Sequence, residues 1–136
     1  MPKKNKIENS AKISNVQKKI LIVEDDKPML RALEMKFLGL GFGVTTAENG
    51  ELALVEFAKK KFDIALLDLI MPVKDGFDVL EELKKRGDKT PIIVSTNLSQ
   101  QEDIRRAKDL GAIDYFVKSD TPMSEVVKRV KSVLKI

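Results

Sequence analysis

Four short apolar runs in this chain each stop at residues that can handle charge. ILIV (20–23) runs into Glu24-Asp25-Asp26, IALL (64–67) into Asp68, IIV (92–94) into Ser95-Thr96, and YFV (115–117) into Lys118. Carboxylates gathered in one place repel unless a cation neutralises them. Mg²⁺ takes oxygen ligands, commonly one or two carboxylates with waters and a phosphate oxygen. An ammonium and a hydroxyl can hold the remaining oxygens of a phosphoryl group, whose transfer needs little beyond positioning and charge stabilisation. A carboxylate can itself be the nucleophile and become an aspartyl phosphate. Glu24, Asp25, Asp68, Thr96 and Lys118 are thus a candidate set for cation-assisted phosphoryl chemistry.

Other chemistries are closed off by composition. The chain has neither cysteine nor histidine, so thiolate nucleophiles, Ser-His-Asp triads and His- or Cys-ligated zinc are excluded. With 136 residues it has the size of one domain.

The elements that would position these residues follow from hydrophobic pattern. Short continuous apolar runs suit parallel strands covered on both faces. Helical spacing fills the gaps between them: Met29, Leu30, Leu33, Phe37 and Leu40, then Leu52, Val55 and Phe57, then Phe77, Leu80 and Leu83, then Ile104, Ala107 and Leu110, then Val126, Val127, Val130 and Leu134. The reading is α/β: a five-stranded parallel (βα)5 sheet, doubly wound, with helices on both faces. Strands are expected near 20–24, 43–47, 63–68, 91–95 and 113–117. Asn49 and Asp75 are expected as N-caps, Ser99-Gln-Gln-Glu102 as a capping box with Gly111 closing that helix, and Thr121 as N-cap before Pro122. Asp26, two residues before Pro28, reads as helix-cap chemistry rather than a third ligand. In open α/β sheets ligands bind beyond the carboxyl ends of the strands, where all the candidate residues fall.

Two regions are expected: a flexible basic leader over 1–18 and a folded domain over 19–136. Residues 1–19 hold six lysines against Glu8; since the chain totals +4, the rest carries about one net negative charge. The leader's lysines read as solubilising, and no direct DNA binding is expected of the body. No secretory or membrane-spanning apolar stretch is present, so a cytoplasmic location without membrane contact is the expectation.

ILIVEDD (20–26), LLDLIMPVKDG (66–76), PIIVSTN (91–97) and YFVKS (115–119) resemble the signature blocks of the receiver (CheY-like) domain of bacterial two-component response regulators. The resemblance covers about residues 19–135. It implies a flavodoxin-like strand order, 2-1-3-4-5. It implies Asp68 as phosphoacceptor, Asp25 as a direct Mg²⁺ ligand, Glu24 as its neighbour acting through water, and the Ile70 carbonyl as a further ligand. Thr96 resembles the switch hydroxyl, Lys118 the phosphate-pairing lysine, and Tyr115 the aromatic that follows the switch. Ile70 and Leu98 stand two residues past the acceptor and the switch hydroxyl, where receivers tune dephosphorylation. The implied partners are a sensor histidine kinase or histidine phosphotransfer protein and an output protein. The chain would be an acceptor rather than a turnover enzyme.

Two residues depart from the family's pattern. Ser119 follows Lys118 where proline is frequent, often with a cis bond, and Asn97 follows Thr96 where a small residue is usual. No effector domain is expected after the last helix, so the chain reads as a stand-alone receiver. The alternatives are a fragment of a longer response regulator and a receiver-like interaction module that is never phosphorylated. Rival classes fit less well. A flavodoxin would put three acids against the FMN phosphate, and a haloacid-dehalogenase-type phosphatase would need an acid where Ile70 stands.

Overall fold

The computed structural model describes residues 17–136; most of the expected leader lies outside the described residues. Five parallel strands, β1 (Lys19–Val23), β2 (Gly43–Ala47), β3 (Ile64–Leu67), β4 (Ile92–Thr96) and β5 (Asp114–Val117), pair in the order β2-β1-β3-β4-β5. They alternate with α1 (Lys27–Gly39), α2 (Gly50–Lys59), α3 (Gly76–Arg86), α4 (Gln101–Asp109) and α5 (Met123–Leu134). The chain order reverses between β1 and β3, and such a switch point opens a crevice at the strands' carboxyl ends.

Each strand sends alternate side chains to opposite faces, so one run serves two cores. Leu21, Val23, Ala65, Leu67, Ile92 and Val94 pack with Ala53, Leu54, Phe57, Phe77, Leu80 and Ala107 of α2, α3 and α4. Ile20, Ile22, Ile64, Leu66, Ile93 and Phe116 pack with Leu30, Leu33 and Phe37 of α1 and Val126 and Val130 of α5. On α2 the buried set corrects the expected one. Ala53, Leu54 and Phe57 face inward, while Leu52 and Val55 are about half exposed on the opposite side.

Helix starts agree with the sequence in part. Asn49 accepts the Leu52 N–H, and Asp75 and Asp78 form a reciprocal capping box at 2.9 and 3.3 Å. Gly111 has φ +112° just past α4, as expected of a glycine stop. The expected Ser99 box does not form. The Gln100 carbonyl takes the first bonds of α4, from Asp103 and Ile104, so the cap falls one residue after Ser99. Thr121 does not cap α5 either. Its hydroxyl donates back to the Val117 carbonyl at 2.8 Å across a 3-10 turn over Lys118–Asp120, and Pro122 takes the cap position. The Asp26 carbonyl accepts the Leu30 N–H, but the Asp26 side chain makes no cap bond.

Parallel strands place all five helix starts at one end of the sheet. Glu51, Asp78, Glu102, Asp103 and Glu125 lie in first turns there, beside Glu24, Asp25 and Asp68. Every helix carries a base in its last turn at the other end, among them Lys36, Lys59, Lys84, Lys108 and Lys131. Acids suit helix N-termini and bases C-termini, so the two ends of the domain differ sharply in charge. Among the described residues no helix is long and apolar enough to cross a membrane.

Candidate functional site

Asp68 stands one residue past β3, and its N–H still pairs with the Val23 carbonyl at 3.1 Å. It is buried, as is Glu24, the residue after β1. Asp25, exposed, completes the group: one carboxylate oxygen from each of the three lies within 4.8 Å of the others. Asp26 is not part of it. Its N–H donates to Glu24 Oε2 at 3.2 Å, which orients the glutamate.

Lys118 reaches this group from the far end of β5. Its Nζ donates to Glu24 at 2.8 and 3.0 Å and to Asp68 Oδ2 at 3.0 Å. Burial pushes the Glu24 carboxyl above its ordinary range; the Lys118 bond opposes that shift, and the Asp68 charge adds to it. Burial alone would lower the Lys118 ammonium, but its bonds to Glu24 and Asp68 outweigh that and hold it above its usual value.

The loop after Asp68 is clasped rather than merely connected. The Gly76 N–H donates to Leu69 O, and the Gly50 N–H to Lys74 O, each at 3.0 Å. A Cβ on Gly76 would sit 2.8 Å from Leu69 Cα and closer still to the Asp68 carbonyl. Only glycine allows α3 to start this near the site. Between the clasps Val73 adopts φ +69°, and the Lys74 N–H closes a three-residue turn onto Pro72 O at 2.7 Å. Ile70 is 57% exposed, and its N–H donates to Asp68 Oδ1 at 3.2 Å.

On the β4 side Thr96 is fully buried, and its hydroxyl oxygen lies 3.5 Å from the Leu98 N–H. Ser95 is buried as well. The Tyr115 hydroxyl donates to the Leu98 carbonyl at 2.6 Å, with Leu98 packed against the core. Burial, with the Asp103 and Asp68 charges, pushes the Tyr115 phenol up to about 12. The Lys118–Ser119 bond is trans, and the Ser119 N–H donates to Asn97 Oδ1 at 2.9 Å.

The structure therefore gathers Glu24, Asp25, Asp68 and Lys118 into one cluster that the Ile70 N–H joins, while Thr96 and Tyr115 each contact Leu98 at the end of the neighbouring β4. The resemblance matches Pro72 and Asp75-Gly76 to the turn after the acceptor, but sequence reading missed the close approach that requires glycine at 76, the Gly50 bond to Lys74 and the Asn97–Ser119 bond. The only signal for the last was that both residues depart from the usual pattern.

The model of the response regulator receiver domain matches residues 20–131. The chain belongs to the response regulator receiver family. Among curated relatives of this receiver domain, the probable transcriptional regulator ycf27 of Porphyra purpurea is 40% identical over 90% of the chain and 50% of its own length. The alkaline phosphatase synthesis transcriptional regulatory protein PhoP of Bacillus subtilis is 34% identical over 88% and 50%. The receiver thus spans about half the length of these relatives. Among solved structures, the response regulator TrrA of Thermotoga maritima in complex with Mg²⁺-BeF is 32% identical, with a TM-score of 0.76 over 86% of this chain and 99% of that one. A Francisella receiver domain is 29% identical, with a TM-score of 0.82 over 88% and 98%. The five-stranded CheY-like architecture expected from sequence is the one observed.

Proposed function

We propose that this receiver accepts a phosphoryl group on Asp68 from the phosphohistidine of a sensor kinase or phosphotransfer protein, and that the modified rim then alters a partner-binding surface. The observation that carries this is the position of Asp68: buried, ion-paired to Lys118, and within carboxylate distance of Glu24 and Asp25. In the transfer an Asp68 carboxylate oxygen bonds to phosphorus while the P–N bond to the donor histidine breaks, the electron pair leaving with the imidazole. Lys118 already touches the attacking carboxylate and would pair with a phosphoryl oxygen. Thr96 would donate its hydroxyl to another. The protein is itself the acceptor in this reading, not a turnover enzyme on an outside substrate.

The donor set fits Mg²⁺. Three carboxylates converge and every donor is a hard oxygen. Burial also strains the charge of Glu24, which a nearby cation would relieve. Glu24, Asp25 and Asp68, with the Ile70 carbonyl, would hold the ion. When bound it would neutralise charge on the transferring phosphoryl group. The Mg²⁺-BeF complex of TrrA supports carrying this over.

The names of ycf27 and PhoP favour a transcriptional output, so the expectation of no DNA contact draws no support from the relatives. The acceptor reading is tested with acetyl phosphate or a phosphorylated kinase plus Mg²⁺. Wild type should label and Asp68→Asn should not; retained labelling in Asp68→Asn would overturn it.

A further inference from the structure

The two residues that depart from the family's usual pattern are bonded to each other. Ser119 N–H donates to Asn97 Oδ1 at 2.9 Å across 22 positions. The β4–β5 ladder ends at the pair Thr96–Val117, so this side-chain bond stands just beyond the last backbone pair. Asn97 directly follows Thr96, and Ser119 directly follows Lys118. A proline at 119 would have no N–H to give, and alanine at 97 would have no acceptor.

We propose that Asn97 is a positioning residue: its bond to Ser119 extends the β4–β5 pairing by one tie and fixes the end of β4, which carries Thr96, against the turn that carries Lys118. The inference rests on the reading of Asp68 as acceptor. Among the described residues the Thr96 hydroxyl has only the 3.5 Å contact from the Leu98 N–H, so the backbone at the end of β4 sets its place. Lys118 is held by Glu24 and Asp68, and a phosphoryl group on Asp68 changes that support. The Asn97–Ser119 bond involves neither carboxylate. It therefore remains as a link between the two groups while the charge at Asp68 changes. Small misplacements of such groups are costly in rate.

The test is a double-mutant cycle read by acetyl phosphate labelling over a range of donor concentrations, with Mg²⁺ present. Asn97→Ala and Ser119→Pro should each lower the maximal labelling rate about five-fold, equal to ~1 kcal/mol of barrier. The half-saturating donor concentration should stay unchanged. The double variant should be no slower than either single one, because both remove the same bond. Ser119→Ala, which keeps the N–H, should match wild type. Single-variant rates equal to wild type, or effects that multiply in the double, would overturn the proposal. So would a lower half-saturating concentration at unchanged maximal rate, which would make Asn97 a fence across the mouth instead. Exchange of the Ser119 amide hydrogen provides a measurement independent of phosphorylation. It should quicken in Asn97→Ala, and unchanged exchange would overturn the bond itself. Wild type that fails to label would overturn the acceptor reading separately.

Discussion

Tyr115 is the only tyrosine in a chain without tryptophan, so one residue reports optically on the neighbourhood of Thr96. Its phenol, pushed up to about 12, keeps the proton it donates to the Leu98 carbonyl throughout the neutral range. The unfolded phenol titrates near 10. The Tyr115 contribution to stability is thus fully present below about 10 and is lost as pH rises through about 12. Near-ultraviolet absorbance should show phenolate forming near 12 in the folded protein and near 10 in denaturant; coincident curves would mean that the hydroxyl is not held. Ile70 and Leu98 bear on a different quantity, the lifetime of the aspartyl phosphate. Neither side chain can hydrogen-bond a water for in-line attack, so we expect a long-lived phosphorylated form. Ile70→Asn, Leu98→Glu and their combination should shorten it, each single change by several-fold, about 1 kcal/mol of barrier. Decay of labelled protein measures this, and loss within seconds in wild type would refute it.

Among the elements, the β3–α3 loop holds the clearest strain. Val73 is β-branched, 74% exposed and at φ +69°, a conformation that disfavours every residue with a Cβ. Val73→Gly should raise stability by about 1 kcal/mol, since it relieves the steric cost and gives up only part of that in chain entropy. Chemical denaturation checks the sign; a loss of stability would show that the Val73 side chain has contacts that outweigh its backbone. The elements also show what was legible in sequence and why. Strand existence and order of appearance were readable, because an apolar run and the charged residue ending it are adjacent in the chain. The roles of Asp68 and Lys118 as neighbours were readable for the same reason: each ends its own strand at a common rim. Helix starts were less so. Ser99 and Thr121 have the right types, but the backbone chose caps one residue later, since cap position is set by where the preceding loop is tied, at Leu98 by Tyr115 and at Val117 by Thr121. Gly50 was opaque, and Gly76 was legible only as part of a matched turn, because the need for glycine arises from Lys74 and from Asp68 and Leu69, contacts made only once α2 and α3 dock. The Asn97–Ser119 bond was opaque because neither residue ends an apolar run, and the bond forms only where β4 and β5 finish side by side.

Over the whole molecule, net charge is a poor guide. The total is +4, yet acids predominate at the helix-start end of the sheet and bases at the other. At low salt near neutral pH the full chain, to which residues 1–19 add five positive charges, should bind cation exchangers and, through the acidic rim, anion exchangers as well. Charge-reversing Lys60 and Lys61, exposed at the end of α2, should weaken the first and strengthen the second. Retention by the cation exchanger alone would mean that the two ends do not act independently. A body charged this way is an electric dipole, and a dipole feels torque as well as force. In the field of a charged partner the receiver would begin to rotate before any side chain touched. A basic docking face would draw the phosphoacceptor rim forward, and an acidic one would turn it away. The range of that alignment is about 10 Å at 0.1 M salt, so orientation would be settled only in the last steps of approach. Added salt would then slow productive encounters while leaving the bound complex largely intact.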